Sequence, residues 1–192
     1  MAPSVSTRAC ILWRRIDWSG HEAARLVQRE AGWELSGTAV FAYETRACRL
    51  DYVIACDVGW RTVATQVTGW VGAAAIDIAI TVDTQGRWWL NERECAAVAG
   101  CVDVDLNFSP STNPLPIRRL RLEVGHSVPV RAAWLRFPSF ALEPFEQTYR
   151  RLGPTAYRYE SAGGFAADLD VDANGFPTRY GDIWHAEAFG GA

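Results

Sequence analysis

The sequence predicts an all-β protein: a strongly curved, mostly antiparallel sheet or β-barrel of more than ten strands, with little helix. Three observations predict it. From Trp33 onward the chain is a succession of short alternating or β-branched runs broken by turn residues. Gly59, Gly72, Gly86, Gly100, Gly125 and Gly153 fall between these runs or at their rims, as turn punctuation should. Nine tryptophans spread over the whole chain supply the buried aromatic mass that a sheet interior needs.

Taken in order, the first element is 21–30 (HEAARLVQRE). Its Ala and Leu content suits a helix, but Gly20 and Gly32 frame it as a strand paired with the run that follows, and strand is the expectation. Strands are then expected at 33–43, 48–56, 60–70, 75–82, 87–90, 98–106, 120–123, 128–137 and 140–142. Further strands are expected at 146–152, 155–160, 165–171 and 176–180, with a possible helical turn at 92–98 and a loose tail after Trp184. More than ten short strands at this spacing argue for a barrel or a strongly curved sheet. No repeat, charge block or low-complexity linker divides the chain, so residues 1–192 are expected to form one domain.

Composition narrows the function classes. Net charge is -3 with a pI near 5.6, and every basic side chain is arginine, none lysine; a nucleic-acid partner would need a basic face that this balance does not supply. Five cysteines show no CxxC and no metal-ligand spacing, and read as reduced, mostly buried thiols. The apolar piece at 10–13 is too short for a signal peptide, and the Ala/Val-rich stretch at 71–82 is about half the length of a membrane span and contains Asp77. The expected location is the cytoplasm, with no metal and no cofactor.

Residues 100–122 (GCVDVDLNFSPSTNPLPIRRLRL) concentrate the polar and restricted positions. Alternation puts Asp103 and Asp105 on one strand face and Val102, Val104 and Leu106 on the other. Pro110, Pro114 and Pro116 predict a stiff connector whose pre-proline residues are extended, folding Arg118 and Arg119 back towards the aspartates. Mutual neutralisation is the favoured reading over acid/base chemistry, because two carboxylates on one strand do not readily flank a bond from both sides. Asp170 to Gly175 fits the first half of a calcium loop, but Gly181 stands where a bidentate Glu is needed, so Asn174-Gly175 reads as a two-residue hairpin turn. Asp57, Trp60 and Arg61 share a tight turn that could be a binding rim or a structural brace. No Ser-His-Asp set, P-loop or dinucleotide motif is present.

CDVGWRT at 56–62, GCVDVDLNFSPSTNPLPIRRL at 100–120, FEQTYRRLGPTAYRYE at 145–160 and FAADLDVDANGF at 165–176 together resemble the bacterial "Putative glycolipid-binding" family, over nearly the whole chain. The resemblance implies the curved antiparallel sheet of bacterial lipoprotein carriers, wrapped round an apolar cavity. The leading reading is therefore a non-enzymatic binder of a glycolipid-like amphiphile, its tail in the apolar interior and its head group meeting Trp60, Arg61, Asp103, Asp105, Asn113, Arg118 and Arg119 at a polar mouth. The rival reading is an enzyme acting on a small metabolite or glycan through Asp103 or Asp105, which requires a water-accessible carboxylate that arginine does not neutralise. Strand edges leave pairing into a homodimer open.

Overall fold

The structure, a computed structural model, describes residues 6–191. Fifteen strands form one continuous sheet: β1 (Ser6–Arg15), β2 (Gly20–Arg29), β3 (Gly32–Tyr43), β4 (Arg46–Cys56), β5 (Thr62–Val71), β6 (Ala74–Val82), β7 (Trp88–Leu90), β8 (Arg93–Glu94), β9 (Asp103–Leu106), β10 (Ser127–Arg136), β11 (Ala141–Arg151), β12 (Ala156–Ser161), β13 (Ala166–Val171), β14 (Pro177–Tyr180) and β15 (Trp184–Gly191). The spatial order runs from β8 down to β1, then β15 down to β9. Every pair is antiparallel except β9 with β10. One α-helix, α1 (Pro114–Leu120), and two 3₁₀ turns complete the described chain; α1 is far too short to cross a membrane, and no other helix is long or apolar enough.

This order forces the sheet to roll. β8 and β9 are its opposite edges, which in a flat sheet would lie about 65 Å apart at ordinary strand spacing. They are consecutive in the chain, and the segment Cys95 to Val102 between them reaches about 30 Å at most. The free edge of β9 meets the start of β5 instead of open solvent: Thr62 donates its N–H to Val102 O (3.1 Å), and its hydroxyl accepts from Val104 N (3.0 Å). The roll is thus pinned along a seam by two hydrogen bonds without closing into a full barrel.

Period-2 alternation fills the concave side. Ala9, Ile11, Trp13 and Arg15 of β1 and Cys48, Leu50, Tyr52, Ile54 and Cys56 of β4 point inward, while their neighbours are largely exposed. The connection from β9 to α1 enters this interior, so Leu106, Phe108 and Leu115 are as buried as Trp13 and Trp88. Together with Tyr52 and Phe176 they make the centre of the roll a packed core.

Several expectations are corrected. β1 and β15 were not foreseen as strands; the supposedly loose tail pairs with β1 from Ala9 to Arg15. β1 escapes a pattern search because it alternates Ala, Ile, Trp and Arg inward against Cys and Leu outward, which blurs the apolar periodicity. Expected strands at 140–142 and 146–152 are one strand, β11. Pro144 is tolerated within it because β12 pairs only from Gln147 onward, so its missing N–H breaks no ladder.

The expected strand at 120–123 is the end of α1 and the coil after it, and the expected extended connector is helical. Pro114 and Pro116 both fall in the first turn, where backbone N–H groups have no helical acceptor to lose. Asn113 is helical (φ -58°, ψ -35°) despite preceding a proline. Its side chain holds it there, donating to Pro110 O (2.9 Å) and accepting from the Tyr149 hydroxyl (2.8 Å).

The Asn174-Gly175 turn is a hairpin, but with a three-residue loop. Asp172 N bonds Phe176 O, and the Asp172 carboxylate accepts from Asn174 N (2.9 Å) and Phe176 N (2.8 Å). The same device recurs at Asp57, which accepts from Gly59 and Arg61 N–H, and at Asp83, which accepts from Gln85 and Arg87 N–H. The third loop residue is left-handed each time, Gly86 and Gly175 in two cases and Trp60 (φ 68°) in the other. For a tryptophan this costs on the order of 1–2 kcal/mol, offset by stacking on Trp33 at 4.5 Å. Trp60 is accordingly buried, 3% exposed.

Candidate functional site

The segment from β9 through α1 carries buried polar groups along its length. Asp103, 1% exposed, is clasped by Arg119, whose Nε donates to Oδ1 at 3.0 Å and whose Nη2 donates to Oδ2. Burial pushes the Asp103 carboxyl up and Arg119 pulls it back. Ser109 caps the 3₁₀ turn by accepting from Ser111 N (3.1 Å) and donates its own hydroxyl to Glu22 Oε1 (2.5 Å). Tyr52 donates to the same oxygen at 2.6 Å. Gly37 makes that contact possible: a Cβ there would run into the Tyr52 ring and hydroxyl. Glu22 is 1% exposed, and burial raises its carboxyl to about 7 against the opposing pull of Ser109, Tyr52 and Arg15. Its Oε2 has no hydrogen-bond partner among the described residues.

Asp105 differs from its neighbour. It sits beside Trp134, its register partner on β10, and is partly exposed to a cavity of about 320 Å³. It is the single carboxylate in the cavity wall, and its hydrogen-bond partner is the Gln147 amide. Burial raises its carboxyl to about 6, with Asp103 adding to the rise and Gln147 opposing it.

The cavity is also lined by Arg15 from β1 and Trp184 from β15, with Tyr159, Tyr180 and Phe165 from the β12–β14 meander. Arg15, 8% exposed, spends its charge on Asp17 through Nε (2.8 Å) and Nη2 (3.2 Å) and lies 3.8 Å above the Trp18 ring. Its Nη1 lacks a partner among the described residues. Burial holds the Tyr159 and Tyr180 phenols well above their ordinary range, so both are protonated donors at neutral pH. Trp134 and Phe145 stack at 4.5 Å to form an aromatic wall, and Phe165, 40% exposed, stands at the rim.

Of the seven residues picked out in the sequence, Asp105 and Asn113 line this cavity. Asp103 and Arg119 form an ion pair outside its lining. Trp60, Arg61 and Arg118 lie elsewhere: Trp60 is buried against Trp33, Arg61 is exposed beside it, and the Arg118 guanidinium sits 5.2 Å from the Trp60 ring and donates to Ala173 O (3.0 Å). The expected neutralisation therefore holds for one aspartate of the two. Arg15, Trp134, Tyr159, Phe165, Tyr180 and Trp184 were missed as site residues. Five come from five different strands and Phe165 from the turn between β12 and β13, and none of them carries a local motif. A larger, shallow groove of about 780 Å³ runs over exposed side chains such as Ala23, Val53 and Phe189 on the outside of the sheet, and its polar side chains pair with one another, Arg25 with Ser36 and Thr38 with Asp51.

Fold and site together define a barrel-like antiparallel β protein with a small polar cavity in its flank. It belongs to the family described as "Putative glycolipid-binding", whose model matches residues 10–186. The chain is similar to a DUF1089 family protein from Pseudomonas aeruginosa, with 26% identity and a TM-score of 0.74 over 83% of this chain and 88% of that one. A β-barrel-like DUF1849 protein from Brucella abortus shares the fold at 7% identity, with a TM-score of 0.53 over 99% of this chain and 98% of that one. No curated protein matches the chain in sequence.

Proposed function

We propose that the cavity binds, without chemical turnover, the uncharged and hydroxyl-rich head group of a glycolipid-like amphiphile. The observation that carries this reading is Asp105, a partly exposed carboxylate with no cationic partner, set in a wall of aromatic rings and phenols. Arg15 is neutralised by Asp17 and Asp103 by Arg119, so an anionic head group would meet the Asp105 charge with nothing to balance it. Sugar hydroxyls can donate to Asp105 and accept from Arg15 Nη1, Tyr159 and Tyr180, while Trp184 and Phe165 offer apolar faces to a ring. A volume of about 320 Å³ is at the small end for ligand pockets and suits a head group better than an acyl chain. With the core packed, a tail would leave past Phe165 at the rim instead of filling the roll.

Asp105 also meets the stated requirement for the enzyme reading, a carboxyl near 6 that arginine does not neutralise. Two-carboxylate glycoside hydrolysis needs a second acid, and the nearest candidate, Asp103, is committed to Arg119. Binding is therefore favoured. Titration with octyl glucoside, followed by tryptophan fluorescence, should show saturable quenching that Trp184→Phe diminishes and Asp105→Leu weakens at least tenfold. An unchanged response in Asp105→Leu, or equal affinity for octyl sulfate, refutes the head-group assignment. Release of free glucose would favour the enzyme.

A further inference from the structure

A second pocket, of about 410 Å³, lies at the C-terminal end of α1, where Arg118, Arg121 and Arg151 converge beside Tyr157 and Thr155. The hairpin loop Ala173 to Gly175 forms the facing wall, and a Cβ added at Gly175 would come into contact with Pro114, Ile117 and Arg118. Each arginine reaches this place for a different local reason. Arg118 is on the last turn of α1 and donates Nη1 to Ala173 O. Arg121 ends the helix in the left-handed conformation (φ 47°), which swings it off the helix line. Arg151 ends β11 and is fixed by backbone carbonyls alone: Gly153 O at 3.1 Å, Leu122 O at 2.7 Å and Pro154 O at 2.7 Å.

None of the three pairs with a carboxylate within 4.0 Å among the described residues, whereas nine other arginines of the chain do. The one acid in the wall, Asp172, spends Oδ1 on two loop N–H groups and Oδ2 on the Asn174 amide. The pocket thus holds an excess of two positive charges in a protein whose net charge is -3.

We propose that this pocket is a binding site for a phosphate group. Guanidinium forks match tetrahedral oxyanions in geometry and charge, and carbonyl anchors orient Arg118 and Arg151 without neutralising them. Arg121 completes the site from the rim. Tyr157, whose ring lies 5.8 Å from the Arg151 guanidinium, adds a hydroxyl. Its phenol is raised by burial and lowered by Arg151 and Arg118, and stays protonated at neutral pH as a donor. The site stands apart from the polar cavity and does not rest on how that cavity is read.

The test is calorimetric titration of the full chain with inorganic phosphate and with glycerol 3-phosphate, with sodium chloride at matched ionic strength as control. Saturable binding of both phosphates is expected. Arg121→Ala, which removes a guanidinium with no partner among the described residues, should weaken it about tenfold, the effect of one charge-assisted hydrogen bond, and leave the thermal midpoint in chloride unchanged. Arg121→Glu should abolish it. If phosphate and chloride behave alike, or if Arg121→Glu binds as the wild type does, the proposal is overturned. Tighter binding to phosphatidic acid vesicles than to glycerol 3-phosphate would assign the phosphate to a lipid head group, and the reverse order to a soluble ester; both retain the site.

Discussion

Replacing Arg119 with Ala tests whether the polar stretch from β9 through α1 is a structural brace. Asp103 is 1% exposed, and Arg119 supplies both of its charge-assisted hydrogen bonds. Without them the carboxylate is a buried charge with its neighbour Asp105 adding repulsion, a situation that costs about 3–5 kcal/mol. For a chain of this size that lowers the thermal midpoint by roughly 10 °C. Arg118→Ala is the control, since it loses one bond to a carbonyl and an aromatic contact, worth about 1 kcal/mol.

The variant can escape part of its cost by protonating Asp103. Burial already raises this carboxyl, and removing Arg119 takes away the two largest opposing influences, so the folded variant holds a proton that the unfolded chain releases. Its deficit relative to the wild type must therefore shrink as pH falls from 7 towards 5. Urea titrations at the two pH values measure it directly. Adding Asp103→Leu to Arg119→Met should bring stability back to within about 1 kcal/mol of the wild type, because the pair then leaves no charge behind. A deficit no larger than that of Arg118→Ala, or one independent of pH, refutes the brace.

Glu22 is one of three carboxyls, with Asp103 and Asp105, that folding raises, and it is raised to about 7, above the value near 6 of Asp105. Its carboxyl moves from 4.5 to about 7 on folding, so the native state binds more protons than the unfolded state between these values. Stability is then highest below 4.5, as far as this group is concerned, and falls by roughly 3 kcal/mol as pH rises through 7. Glu22→Gln keeps an acceptor for Tyr52 and Ser109 and should reduce the pH dependence of the urea midpoint most between about pH 6 and 8, leaving the part below that to Asp105. Gly37→Ala forces Tyr52 away from Glu22, so chemical denaturation should show a loss of about 1–3 kcal/mol, and an unchanged midpoint would mean that Tyr52 has a second resting place.

The fold was legible wherever one strand declares itself by its own period. β3, β4, β12 and β13 fall where apolar and polar or turn-bounded runs marked them, and the Asp-led turns after β4, β6 and β13 announce hairpins. β15 was lost because HAEAFGGA has small side chains and few apolar ones, and its strand state comes from the β1 ladder, a partner far away in sequence. The helix at Pro114 was lost because three prolines in seven residues signal extended chain, whereas position within the first turn decides. Within the site, Asp103, Asp105, Arg118 and Arg119 stood out by charge, but adjacent arginines on a helix point in different directions, so one met Asp103 and the other did not. Arg15, Tyr159 and Trp184 could not be grouped from the sequence at all, since only the rolling of the sheet brings β1, β12 and β15 to one cavity with β9.

The strand order also dictates when the protein can become itself. β1 to β8 and β10 to β15 are two meanders of sequential hairpins, whose contacts are local in the chain. They join along two lines: the β1–β15 ladder, which links residues at opposite ends of the sequence, and the Thr62 seam. Each meander can form as it leaves the ribosome, but their docking must wait for the last strand to be made, and until then β1 offers an unpaired edge. The polar cavity takes Arg15 from one meander and Tyr159 and Trp184 from the other. It therefore comes into existence only in the final docking step, and a chain caught before that step has hairpins, an exposed core and no such cavity.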